Sequence, residues 1–506
     1  MTIDPGLRQL ALGTLLAGFA GPSMPPWARD LLADGLAGFT LFATNVTDRL
    51  PALTADLRAA RPDVILAIDE EGGDVTRLAH RTGSPYPGNA ALGAVDDPDL
   101  TRGVYAAIGA DLSAVGITLN LAPVVDVNTE TDNPVIGTRS FGAHPAQVAR
   151  HTAAAIDGLQ SAAVAACAKH FPGHGATRTD SHLGLPTVDV PLAVLQDRDL
   201  PPFAAAVSAG VQAIMTAHIR VPALTGTAPA TFSRAALHDL LRGEYGFTGT
   251  VVTDALEMAG ACAAAGGIGA AAVLALDAGA DLLCLGARVD AGLVDLVVAE
   301  IADAVTEGRL DRRRLEDAAG RTAALAAWAP HADPAATAAD SSASALSAGG
   351  SSAVGLSAGR LSTVGAEAAR RAVRVEGVVT GLAGPLVIRV GSAHSIAEGR
   401  LPWGLAPHLA GVEEIPVVAA EVSAAEIAGW AGARPVVVVG RHLHRAEATR
   451  GLVEALAARC AVVVVELGWP SSWRPAGAQA FVVTFGASLA NGRAAAEVLE
   501  CGPALP

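Results

Sequence analysis

Along the first two thirds of the chain, short uninterrupted apolar runs recur between longer stretches rich in alanine and leucine. The runs are GFTLFATN (38–45), VILAIDEEGG (64–73), ITLNLAPVVDV (117–127), ACAKHFPG (166–173), AIMTAHI (213–219), GTVVTDAL (249–256) and ADLLCLG (280–286). An earlier run near 14–19 makes eight. Each is continuous rather than alternating, which predicts parallel strands buried on both faces. The segments between them, such as 98–116 and 145–163, read as helices. Eight strand–helix units in about 300 residues predict an α/β fold that begins with a (β/α)8 TIM-like barrel.

The pattern changes after residue 330. Residues 331–360, HADPAATAADSSASALSAGGSSAVGLSAGR, are rich in Ala, Ser and Gly and predict a linker. Residues 361–506 carry PLVIRVG (385–391), RPVVVVGR (434–441), AVVVVELG (461–468) and AFVVTFG (480–486), separated by helical stretches. These predict an open, mostly parallel α/β sandwich domain. The expected boundaries are therefore a barrel over 1–330, a linker over 331–360 and a sandwich over 361–506. No phosphate-cradling glycine pattern follows any strand of the second domain, and no catalytic constellation stands out there. Its Arg441, His442 and His444 read as a solvated basic loop ahead of a reach toward substrate.

Composition narrows the function. The 506 residues are 51% hydrophobic and 17% charged, with a net charge of −15. That balance argues against a general binder of nucleic acid or anionic membrane. Five cysteines without a CxxC pair fit neither a disulfide framework nor a thiolate zinc site, and point to a reducing compartment. The apolar stretch at 10–20 follows Asp4 and a single arginine, so it reads as part of the fold rather than an export signal. A cytoplasmic location is the expectation. No run approaches the ~18 apolar residues that a membrane span needs.

Polar residues sit where a barrel performs chemistry. Asp69, Asp126, Lys169, His170, His218 and Asp254 each fall at the C-terminal end of an expected strand. The segment KHFPGHGATRTDSH (169–182) adds three histidines, a lysine and an aspartate within one Gly/Pro-broken loop. One reading is a turn with satisfied histidines. A second is a metal site on His170, His174, Asp180 and His182, although Lys169 beside a cation is electrostatically awkward. A third is acid/base chemistry: Asp180 orients the His182 imidazole, which gives and takes a proton. Asp254 fits either a helix N-cap or an ionised nucleophile across the mouth from Lys169 and Arg139.

The block KHFPGHG with DSH and LP, together with AIDEEGGDVTRL, LNLAPVVDV, NPVIGTRSFG, IMTAHIRVPA and VVTDALEMAGA, resembles the bacterial β-N-acetylhexosaminidases of glycoside hydrolase family 3. The resemblance covers most of residues 7–328. It implies a glycosidase that releases terminal β-linked N-acetylglucosamine from cell-wall or chitin-derived saccharides. Asp254 would be the nucleophile, His182 the acid/base and Asp180 its orienting partner. Asp69, Arg77, Arg139, Lys169 and His170 would hold the sugar. Two positions depart from the family pattern. Asp74 stands where many relatives carry a basic residue, and Thr138 where an acidic residue commonly precedes the arginine. Both are expected at or near the sugar, tuning preference. An imidazole in place of a second carboxylate does not repel an incoming phosphate. Phosphorolysis by the same residues therefore stays open beside hydrolysis, as does a metal-dependent hydrolase on the His170/His174/His182 cluster. The expected partner is a small saccharide, with phosphate as alternative acceptor. No cofactor, nucleic acid or membrane is expected, and the sequence sets no oligomeric state.

Overall fold

In the computed structural model, residues 3–181, 184–328, 362–392 and 395–499 are described. The expected linker, 331–360, and His182 lie outside them.

The first eight strands are β1 Leu15–Ala17, β2 Gly38–Leu41, β3 Ile65–Ile68, β4 Leu119–Asn120, β5 Ala165–Phe171, β6 Ala213–Thr216, β7 Thr250–Thr253 and β8 Leu283–Cys284. They lie in sequence order, parallel to one another, with β1 paired to both β2 and β8. A parallel bridge between Val252 and Leu282 joins β7 to β8 and closes the ring. The apolar runs hide a period of two. Leu16, Ile65, Ala67, Ala165, Cys167, Ala213, Met215 and Val252 fill the barrel interior. Their neighbours Leu15, Ala17, Leu66, Ile68, Ala166, Ala168, Ile214 and Val251 pack outward under the helices. Both layers are dry, so the run reads as continuous. The helices expected at 98–116 and 145–163 are Pro98–Ala114 and Pro145–Ser161, each opened by a proline at its first turn. The stretch at 10–20 divides between helix Pro5–Leu12 and β1. Among the described residues no single helix is long and apolar enough to cross a membrane.

The second domain holds β9 Arg374–Gly377, β10 Leu386–Val390, β11 Glu413–Val417, β12 Val436–Gly440, β13 Val462–Glu466 and β14 Ala480–Val483, in the order β11-β10-β12-β13-β14-β9. The four valine-rich runs are its central strands. The two edges were not legible: β9, antiparallel, reads RVEG and is exposed throughout, and β11 reads EEIPV. Edge strands keep one side wet and carry charge, so they lack the buried-run signature.

The second domain docks on the β3–β4 side of the barrel. Helix Thr363–Ala372 places Ala368 in the barrel core and Ala369 against Ala490 and Ala494 of its own domain. Arg371 pairs with Asp97 at 2.8 Å, and Arg445 donates to the Asn133 carbonyl at 3.1 Å. The loop after β12 is therefore not a solvated basic loop. Arg441 is 7% exposed, His442 is half-buried, and His444 lies 3.4 Å from Asp132 of the barrel. Counter-charges 300 or so residues away in the chain turn an apparent surface loop into an interface, a pairing invisible to local sequence.

Candidate active site

The C-terminal ends of the barrel strands open into a cavity of about 460 Å³, a size typical of small-molecule sites. Asp69, Arg77, Arg139, Lys169, His170 and Asp254 all line it, so six of the eight expected site residues converge there. Asp180 is buried close by in the chain, at the end of the KHFPGHG loop. Its neighbour Ser181 lines the cavity; His182 is outside the described residues.

The β3 end supplies three successive carboxylates with three fates. Asp69 and Glu71, two residues apart, point to one side. Glu70 turns away and accepts the backbone N–H groups of Arg77 and Leu78, each at 2.9 Å. Burial pushes its carboxyl up to about 7. The glycines Gly72 and Gly73 then reverse the chain at φ of +75° and +59°. A Cβ on Gly73 would sit 2.4 Å from Gly88 Cα, so only glycine fits. Glu71 accepts two bonds from the Arg139 guanidinium, both 2.8 Å, and one from Lys169 Nζ at 2.7 Å. Burial alone would raise this carboxyl. The two cations outweigh burial and hold it well below the usual carboxylate range. Lys169 also reaches Asp69 Oδ1 at 2.8 Å. Glu71 is thus the residue that sequence reasoning missed, and its signal was the i, i+2 spacing from Asp69.

The β5 end is irregular. Its register against β6 shifts between Lys169 and Phe171, so consecutive Lys169 and His170 both line the cavity instead of alternating. Behind them Asp126, fully buried, accepts the His170 Nδ1–H at 2.7 Å and the His174 backbone N–H at 2.7 Å. His174 bonds Thr177 through Nδ1 at 2.7 Å, and burial, with His170 beside it, lowers its imidazole to about 4. His218 is also behind the cavity, fully buried, joined to Thr231 and to the Ala255 carbonyl at 3.1 Å. So Asp69, Lys169, His170 and Asp254 face the opening, while Asp126 and His218 brace the walls. Among the described residues no three His, Cys, Asp or Glu side chains gather in a metal-holding group.

Asp254 ends β7, four strands around the ring from β3, and its Oδ1 accepts the Ala255 N–H at 2.8 Å. It is not the N-cap of a helix. The next helix, Ala259–Ala265, begins five residues later behind Met258. Nor are Lys169 and Arg139 unpaired charges awaiting Asp254, since Glu71 and Asp69 already engage them. Ser181 and Gly184 lie against this helix. A Cβ on Gly260 would stand 2.7 Å from the Gly184 carbonyl oxygen and 3.5 Å from that of Ser181. The two departures from the expected pattern do not touch the cavity. Asp74 and Thr138 bond each other at 2.6 Å, and Asp74 also accepts from Arg441 at 3.2 Å and from the Ala487 N–H at 2.8 Å. They belong to the domain interface, not to the cavity wall.

A barrel mouth with a carboxylate on one wall and a fixed set of donors and acceptors on the other defines an enzyme-like site for a polyhydroxylated small molecule. The comparisons agree. Residues 24–325 match the glycosyl hydrolase family 3 N terminal domain, and the chain belongs to that family. It is 35% identical over 349 residues to Beta-hexosaminidase A of Pseudoalteromonas piscicida, an alignment covering 63% of this chain and 58% of that relative. It is 39% identical over 275 residues to Beta-hexosaminidase of Neisseria meningitidis serogroup C, covering 52% and 74%. Among solved structures, the glycoside hydrolase family 3 beta-N-acetylglucosaminidase from Paenibacillus sp. str. FPU-7 superposes with a TM-score of 0.84 at 32% identity, over 97% of this chain and 96% of that one.

Proposed function

We propose that this chain is a retaining β-N-acetylhexosaminidase that releases terminal β-linked N-acetylglucosamine from cell-wall or chitin-derived saccharides. One observation carries the reading: the Asp254 carboxylate stands across a sugar-sized cavity from a braced set of hydrogen-bonding groups, in a family 3 barrel. The names of the relatives above support the substrate class. In this reading Asp254 attacks the anomeric carbon and forms a covalent glycosyl-enzyme. His182, oriented by Asp180, protonates the departing oxygen and then deprotonates the incoming water. Asp69, Arg77, Arg139, Lys169 and His170 hold the hydroxyls and the acetamido group. Glu71 and Asp126 act through them, holding Lys169, Arg139 and His170 in place. We place this turnover in the cytoplasm, on recycled saccharides.

The test is turnover of aryl β-N-acetylglucosaminides by the full chain. Asp254→Asn lowers kcat by more than about 10³-fold on every substrate. His182→Ala loses about 10²–10⁴-fold on poor leaving groups and far less in the first step on activated aryl groups, which need no proton. Equal losses on both classes would remove His182 from its role. Appearance of a sugar 1-phosphate when phosphate is added would make the enzyme a phosphorylase. Loss of activity with a chelator would favour a metal-dependent hydrolase.

A further inference from the structure

The second domain is wound in two directions about β10: β11, next in the chain, pairs on one side of it, and β12, which follows β11, pairs on the other. At such a switch point the loops leaving the strand ends part and form a crevice. Here the loop after β10 and the loop after β12 flank that crevice, and it opens onto the barrel mouth. Arg441, just past β12, pairs with Glu398 at 2.9 Å and with the barrel's Asp74 at 3.2 Å. The barrel's Arg77 donates to the Ala397 carbonyl at 3.0 Å. As a result six consecutive residues, 396–401, line the barrel cavity. Ile396, 56% exposed, presents an apolar side chain to it.

The direction of this loop has a chemical meaning. Asp254 on β7 and Asp69 past β3 stand on opposite sides of the eight-stranded ring. C1 and C4 are opposite corners of a pyranose. A sugar with C1 at Asp254 therefore turns its C4 hydroxyl toward Asp69 and Arg77, which lie within 4.0 Å of each other. The loop tethered to Arg77 stands beyond that hydroxyl, on the side away from the leaving group.

We propose that residues 395–401 of the second domain form the stop at the non-reducing end of the site, admitting only sugars without an extension at C4. The buried tie Asp74–Arg441–Glu398 positions the stop. Asp74 and Thr138 then influence preference indirectly, through the seat of the loop rather than through contact with sugar. The inference rests on the glycosidase reading, in particular on Asp254 at the anomeric carbon.

The experiment compares kcat/KM for a 4-nitrophenyl β-N-acetylglucosaminide and for its 4-O-methyl ether. It uses the full-length wild type, Ile396→Ala/Leu401→Ala, Arg441→Gln and Arg441→Lys, each with its Tm. The ratio of methyl ether to parent is low in the wild type. It rises by about tenfold or more in the double variant, the scale on which pockets discriminate one methyl group. It rises likewise in Arg441→Gln and falls back toward wild type in Arg441→Lys, whereas a merely structural role would lower Tm and leave the ratio in place. Ile396 is too exposed for its truncation to unfold the domain. An unchanged ratio in a folded double variant overturns the stop while leaving the glycosidase reading intact. A wild type that turns over neither compound overturns both.

Discussion

Replacing Arg139 by methionine tests the tie that holds this wall of the cavity. Arg139, Glu71 and Lys169 have side chains only 4%, 3% and 3% exposed. The substitution removes two charge-assisted bonds of 2.8 Å from a buried carboxylate, which keeps only Lys169. Each such bond contributes about 1.5–3 kcal/mol, and breaking a buried pair from one side costs about 3–5 kcal/mol. Because Lys169 remains, we expect a loss near the lower end, about 3 kcal/mol, in urea unfolding followed by circular dichroism. Arg139→Lys keeps the charge but not the planar fork and loses less, about 1–2 kcal/mol. Glu71→Leu alone strands Arg139 and is as damaging. The double variant Glu71→Leu/Arg139→Met removes both charges and returns to within about 1 kcal/mol of the wild type. Its activity stays lost, since Arg139 is gone and Lys169 is held by Asp69 alone. A cost below about 1 kcal/mol for Arg139→Met, or additive single losses, would refute the reasoning, because it would mean that Glu71 is hydrated or paired elsewhere.

Two further outcomes follow from the geometry. Gly260→Ala pushes the Gly184 carbonyl away from the helix after Asp254. A displacement of about 1 Å in a catalytic loop costs about 10²-fold, so hydrolysis of poor leaving groups falls by that factor, activated aryl glycosides lose less, and Tm barely moves; equal losses on both would disconnect Gly260 from the DSH block. His174 has its imidazole lowered from 6.5 to about 4 by burial, so the fold favours the neutral form. The stability this contributes is complete above pH 6.5 and is lost as pH falls through about 4, at most about 3 kcal/mol; urea midpoints at pH 7 and pH 4.5 should converge between wild type and His174→Asn, and parallel shifts would contradict it.

How far the sequence reaches can be judged from particular residues. The eight barrel runs and the four valine runs were legible because strands buried on both faces leave unbroken apolar text. The edges β9 and β11 were not, because their wet side breaks that text. The places of Asp69, Lys169, His170 and Asp254 on the cavity were legible because barrel cavities open at the C-terminal strand ends. His218 and Asp126 sit at equivalent ends yet turn behind the wall, and only packing separates the two fates. The partners Asp74 and Arg441 were read as a substrate-tuning position and a solvated loop. Their 367-residue separation hides a pairing that only the folded chain reveals.

The claim on which the account stands is that Asp254 becomes bonded to the sugar. Incubation with a 5-fluoro-N-acetylglucosaminyl fluoride slows the breakdown of a covalent intermediate, and mass spectrometry of a protease digest then locates it. The account predicts a fluoro-sugar adduct on the peptide that contains Asp254, absent from Asp254→Asn. An adduct on another residue, or continuing turnover with no adduct at all, would contradict it.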